Sequence, residues 1–316
     1  MKMKDFGFYR GVDLGGWFSQ CDYSEDRLEH FITEKDLDVI VSWGLDHVRI
    51  PMDYNVLEKE DGSFSPEGFG RIRRAVEWCK SRNLKVVLDL HKTAGFSFDA
   101  GEAEAGFFDS EKYQERFYRL WEELARQFYD PENVAFELLN EVTDASFITS
   151  WNRIARICIS RIRPIAPKAL ILIGSYHNNS PAAVPALDPP VDDRIIINFH
   201  CYDPLMFTHQ GAPWVPELDQ NARPSFEEAR IPADFFEKAF APAIETAEKY
   251  GVGLYCGEYG VIDRAAPEDT LKWFRMIHDT FEKHGISRCV WSYREMDFGI
   301  ADSRLDGVRD RLIPLL

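Results

Sequence analysis

The sequence predicts a closed (β/α)8 barrel, an α/β fold in a single domain covering residues 1–316, and three observations carry that expectation. Apolar strand-like runs alternate with helix-period segments about eight times along the chain. Several of those runs are almost continuously apolar, as parallel strands covered on both faces must be. A chain of 316 residues with 45% apolar and 14% aromatic side chains can bury one barrel-sized core without staples. An open doubly wound sheet is the alternative arrangement of the same alternation. No internal repeat or low-complexity tract marks a second domain.

Taken in order, the strand-like runs fall at residues 9–14, 47–52, 85–91, 134–141, 170–175, 195–202, 253–259 and 289–294. The first helix is expected over 24–44, where Ser24 is a capping residue and Gly44 a stop. Helical spacing returns at 67–83. The next helix has the clearest stripe, with Phe117, Leu120, Trp121, Leu124 and Phe128 at three- and four-residue intervals. Further helices fit 146–166, 233–250 and 267–285. Two connections are longer than a barrel requires, and both follow strands. Residues 92–110 are rich in glycine, acidic residues and the aromatics Phe96, Phe98, Phe107 and Phe108, whereas 203–232 hold five prolines and Trp214. Loops after the strands build the functional face of such a barrel. The phenylalanines are expected to pack those loops onto the barrel top.

A formal charge of -16 argues against nucleic acid and anionic membranes as partners, since both call for a basic patch. The start, Met1-Lys-Met-Lys-Asp-Phe-Gly7, lacks the apolar stretch of a signal peptide, and no apolar run reaches the ~18 residues of a membrane span. A cytoplasmic monomer is expected, or a secreted one if a leader has been removed. The six cysteines stand singly with no metal-type pairing and read as reduced core residues.

Two glutamates hold most of the functional information. Glu141 ends the run Val134-Ala-Phe-Glu-Leu-Leu-Asn-Glu141, and Glu258 lies near the end of Gly253-Leu-Tyr-Cys-Gly-Glu-Tyr-Gly260. A carboxylate at a core-facing strand end is costly unless it is used or paired. Two of them point to acid/base or acid/nucleophile chemistry. Helix capping or a structural ion pair is the alternative for either one alone. More polar residues collect at the same strand ends: Arg49 in the second run, His91 in the third, Asn140 beside Glu141, His200 and Tyr202 in the sixth, and Trp291 in the eighth. The i,i+2 spacing of His200 and Tyr202 puts both on one strand face. Asn140 and Glu141 are adjacent, so the fourth strand is expected to be breaking there.

These residues, with Gly11-Val-Asp-Leu-Gly-Gly-Trp17, Asp46-His-Val-Arg-Ile-Pro51, Leu88-Asp-Leu-His91, Phe136-Glu-Leu-Leu-Asn-Glu141, Asn198-Phe-His-Cys-Tyr202 and Gly257-Glu-Tyr-Gly260, resemble the motifs of glycoside hydrolase family 5, retaining cellulases built on a (β/α)8 barrel. The resemblance implies that Glu141 is the general acid/base and Glu258 the nucleophile. It implies that Arg49 and Tyr202 keep Glu258 ionised, that Asn140 bonds the sugar 2-hydroxyl, and that His91 and His200 hold sugar hydroxyls or the carboxylates. Trp291 would lie under the bound pyranose, with Trp17 and Trp214 as candidates for further subsites. The implied substrate is a β-linked oligo- or polysaccharide, first of all a β-1,4-glucan, with β-mannan, xyloglucan, β-1,3-glucan and short β-glucosides as alternatives. Neither a cofactor nor a metal is implied. The sequence departs from relatives at His91-Lys-Thr-Ala-Gly95, where a second His and a Pro are frequent, and at Val142, where Pro is frequent. Residues 203–232 are also shorter than the helical insertion of some relatives, which suggests an open cleft.

No His-Glu-x-x-His helix, Gly-x-Ser-x-Gly elbow, Walker loop or Gly-x-Gly-x-x-Gly fingerprint occurs in the chain. A metal cluster built from His91, His200 and the glutamates is one alternative, and a catalytically silent carbohydrate-binding barrel is another.

Overall fold

In the computed structural model, which describes residues 2–99 and 105–316, eight parallel strands close into a barrel in chain order. They are β1 (Arg10–Asp13), β2 (His47–Asp53), β3 (Lys85–Lys92), β4 (Val134–Glu137), β5 (Leu170–Ile173), β6 (Ile195–Cys201), β7 (Gly253–Tyr259) and β8 (Ser287–Val290). β1 pairs with both β2 and β8, so no sheet edge is left open. Among the described residues no helix is long and apolar enough to cross a membrane. All six cysteines are free thiols.

Several elements are shorter than their apolar runs. β4 stops at Glu137 rather than at 141, although Leu138 and Leu139 beyond it stay buried. Burial keeps the run apolar after the ladder has ended, so hydropathy does not reveal the stop. β8 lies at Ser287–Val290 instead of 289–294 for the same reason, because Trp291 and Tyr293 are buried outside it. The segment 24–44 forms two helices, Glu25–His30 and Glu34–Ser42. Ser24 Oγ caps the first by accepting from Arg27 N at 3.2 Å. Thr33 starts the second, its N–H and hydroxyl both donating to Asp36 Oδ2 at 2.8 Å. Between β5 and β6 the full helix of a regular repeat is replaced by the short 3-10 segment Pro181–Ala186, where Pro185 cannot donate an i→i−4 bond.

Inside the barrel the strand period of two sorts the side chains into rows. Val87, Ala135, Leu170, Leu172, Ile196, Tyr255 and Cys289 form an apolar plug, sealed from the N-terminal side by Met3 and Phe8. Two residues further along β1 to β4 and β6 the rows turn polar: Asp13, Arg49, Asp89, Glu137 and Asn198, all fully buried. Just past the strand ends, where carbonyls leave the ladder, helix tryptophans supply the donors. Trp121 Nε1 donates to Leu138 O at 3.0 Å, Trp151 Nε1 to Gly174 O at 2.9 Å, and Trp273 Nε1 to Asp203 O at 3.0 Å.

Candidate active site

Arg49 is the hub of the polar layer. Its Nε and Nη2 donate to the two oxygens of Glu137 at 2.7 and 2.9 Å, Nη1 donates to Asp13 at 2.9 Å and to Glu258 Oε1 at 2.7 Å, and Nη2 also donates to Asn140 Oδ1 at 2.7 Å. Asp89 Oδ2 lies 3.0 Å from the same guanidinium. One cation thus serves four buried carboxylates, whose environments differ. Burial pushes Glu137 up to about 7 against the pull of Arg49. It pushes Asp13 well above the usual carboxylate range. Glu258 goes the other way: burial would raise it, but His200, Arg49, His91 and the Tyr202 hydroxyl together lower it to about 2. Of these, Glu258 is the carboxylate whose surroundings most favour its charged form.

The two glutamates meet across the barrel mouth. His200 Nδ1 is 2.7 Å from Glu141 Oε1 and 3.6 Å from Glu258 Oε2, and Tyr202 donates its hydroxyl to Glu258 Oε2 at 2.8 Å. Among the described residues, one ligand atom each of Glu141, His200 and Glu258 lie within 4.8 Å of one another. Burial lowers the His200 pKa, but the neighbouring Glu258 and Glu141 outweigh it and raise it overall. His200 lies between the two carboxylates, and both oxygens of Glu258 already accept hydrogen bonds, Oε1 from Arg49 and Oε2 from Tyr202. This donor set fits proton transfer better than metal binding.

His91 and Trp291 also reach the mouth. The His91 ring bonds Asp89 Oδ2 through Nδ1 at 2.6 Å, lies 3.4 Å from Asn140 Nδ2, and stacks on Trp291 at 5.7 Å and 5°. A Cβ on Gly15 would sit 2.7 Å from the Trp291 ring, so the β1 loop needs glycine there. Trp17 lies elsewhere. It is buried, stacked on Phe18 and Trp78, and its indole N–H is spent on Leu28 O at 3.0 Å, leaving no face for a ligand. Trp214 is half exposed and linked to the site edge by edge, through His209 at 6.2 Å and from there to Tyr202 at 5.1 Å. Its loop contains one helical turn, Leu205–Thr208. In the other long loop Phe96, Phe107 and Phe108 pack inward, Phe98 meets the edge of His91 at 5.0 Å, and residues 100–104 lie outside the described residues.

Sequence reasoning missed the supporting carboxylates Asp13, Asp89 and Glu137, although an acidic residue inside a fully apolar strand is itself a signal that a partner must exist. It also missed two residues after β5. Asn178 Nδ2 donates to Glu141 Oε2 at 2.7 Å, and Asn179 Nδ2 donates to Asn140 O at 2.5 Å.

The chain as a whole is matched at the level of families. The model of the cellulase family, glycosyl hydrolase family 5, covers residues 11–297. The chain belongs to glycosyl hydrolase family 5. Cellodextrinase A of Ruminococcus flavefaciens is 57% identical to this family 5 chain over 90% of it and 85% of the relative. Endoglucanase C of Acetivibrio thermocellus is 35% identical over 98% of each. The crystal structure of Thermotoga maritima Cel5A in complex with mannotriose superposes with a TM-score of 0.83 at 25% identity, covering 99% of this chain and 98% of that one. As a family 5 member, the protein is a glycoside hydrolase.

Proposed function

We propose that this family 5 enzyme hydrolyses soluble β-1,4-glucan oligosaccharides with retention of configuration, Glu258 acting as nucleophile and Glu141 as acid/base. The observation that carries the reading is a Glu258 oxygen no more than 4.8 Å from one of Glu141, with Arg49 and Tyr202 donating to Glu258. Double displacement calls for carboxylates ~5–5.5 Å apart, whereas inversion needs ~6.5–9.5 Å to fit a water between them.

In the first step a Glu258 oxygen bonds to the anomeric carbon as the glycosidic bond breaks, and Glu141 gives its proton to the leaving oxygen. In the second, Glu141 takes a proton from water, the water oxygen bonds to the anomeric carbon, and the ester electrons return to Glu258. Esterification removes the Glu258 charge, so His200 then has Glu141 as its remaining carboxylate partner. Asn140, held by Arg49, is placed to bond the sugar 2-hydroxyl, an interaction that strengthens in the oxocarbenium-like transition state. Trp291 floors the glycone site and Trp214 stands on the rim as a further subsite.

The names of the cellodextrinase and endoglucanase relatives support a β-1,4-glucan, and the first of them favours short soluble chains. The mannotriose complex of Cel5A favours a second reading, the same chemistry on β-mannan. Rates on cellotetraose and mannotetraose separate the two. Glu141→Ala tests the roles: it should abolish turnover of cellotetraose, leave kcat/KM on aryl cellobiosides with activated leaving groups far less affected while lowering their kcat, and azide should restore that kcat by forming a β-cellobiosyl azide. Equal loss on both substrates without an azide product would remove the acid/base assignment.

A further inference from the structure

Directly after β5 the backbone makes a single left-handed turn. His177, Asn178 and Asn179 have φ of 50°, 54° and 56°, three consecutive residues other than glycine in a region that L-residues avoid at a cost of ~1–2 kcal/mol each. The composition suits the conformation, because Asn and His are the side chains most often found there. Such outliers persist where the surroundings hold them and something uses them. Here the turn is stitched to the segment following Glu141, His177 N donating to Thr143 O at 3.2 Å and Asn178 N to Val142 O at 3.0 Å. Asn179 anchors it from beneath, buried against Gly174, where a Cβ would lie 2.0 Å from its Oδ1. The outcome is that Asn178, exposed on the rim, directs its amide at Glu141 Oε2 at 2.7 Å.

The two oxygens of Glu141 are thereby distinguished. Oε1 faces inward to His200, and Oε2 takes the Asn178 amide. Each oxygen therefore has its own nitrogen neighbour, and the two contacts fix the plane of the carboxyl group. Resting on the acid/base reading of Glu141, we infer that Asn178 is a positioning residue for the second half of the reaction. It supports Glu141 as the base that takes the proton of water while the water oxygen bonds to the anomeric carbon and the Glu258 ester breaks.

The test uses dinitrophenyl β-cellobioside, whose leaving group needs no acid, so that breakdown of the glycosyl-enzyme limits turnover. Asn178→Gly removes the amide and keeps a residue at ease in the left-handed turn. It should lower kcat and KM together by about five- to tenfold, the worth of one partly exposed hydrogen bond to a charge, with kcat/KM within about twofold. Asn178→Asp, isosteric and equally tolerant of the turn, should lose at least as much kcat. An unchanged kcat in both variants, or a kcat/KM that falls with KM constant, would overturn the inference. Glu141→Gly with azide is measured alongside: if that control shows no rescue, the acid/base reading fails, whereas rescue with an unaffected Asn178→Gly rejects only the role of Asn178.

Discussion

Arg49 and Glu137 face one another as two forks, Nε on Oε2 at 2.7 Å and Nη2 on Oε1 at 2.9 Å, and this pairing sets the plane in which Nη1 meets Glu258. Glu258, the proposed nucleophile, is thus oriented through Arg49 by a carboxylate that is itself fully buried. A planar guanidinium held bidentately on one side delivers its remaining donors in fixed directions. Glu137→Gln replaces an accepting oxygen with an amide N–H aimed at a guanidinium N–H. It should lower stability by about 3–5 kcal/mol, the usual cost of breaking a buried ion pair. kcat/KM should fall with it, while KM for the remaining folded enzyme stays near wild type. Denaturant titration and initial rates read both quantities, and unchanged stability would contradict the hub.

The protonation pattern has a sign in stability. Glu137, pushed up to about 7, contributes stability that is fully present below its ordinary value and lost as pH rises through about 7. His200 and His91 are also raised, so their contributions fade over the range above the ordinary histidine value. Glu258, lowered to about 2, contributes above the ordinary carboxylate value and loses that contribution as pH falls towards about 2. Urea midpoints should therefore be higher near pH 5 than near pH 8, and Glu137→Gln should flatten the difference. A wild-type midpoint that rises from pH 5 to pH 8 would refute this.

Trp214 is half exposed and meets His209 edge-on, and burial lowers the His209 pKa to about 4. Trp214→Ala should leave stability within about 0.5 kcal/mol, as surface changes do. It should raise KM for cellotetraose about fivefold by loss of a stacking face, with little change on an aryl cellobioside. Loss of stability without a change in KM would mean that the ring packs the loop.

Glu141, His200 and Glu258 bring ligand atoms within 4.8 Å of one another, so an added transition metal should compete for them. Excess zinc is expected to inhibit, and EDTA to reverse the inhibition while leaving the metal-free rate unaltered. Activity lost on chelation and recovered with a metal would instead make the enzyme metal-dependent.

The barrel was legible because parallel strands must be apolar on both faces, and the shared face of His200 and Tyr202 follows from the strand period, whereas the stacking of His91 on Trp291 does not. Strand limits were not, since Leu138 and Leu139 are as buried outside the ladder as within it. Glu137 lies four residues before Glu141 in the same run and was passed over, although a fully buried charge demands a partner. Trp17 misled because a tryptophan in a glycine-rich loop does not reveal whether its face is free; the Leu28 carbonyl and Phe18 take it. Asn178 left one trace, the His-Asn-Asn run, which suits a left-handed turn but does not say what the turn faces.

The central claim is double displacement by Glu141 and Glu258, and proton NMR of the first product released from cellotetraose tests it most directly. The geometry predicts that the β-anomer appears first and mutarotates to the mixture. An initial α-anomer would mean direct attack by water and would contradict the assignment of Glu258 as nucleophile.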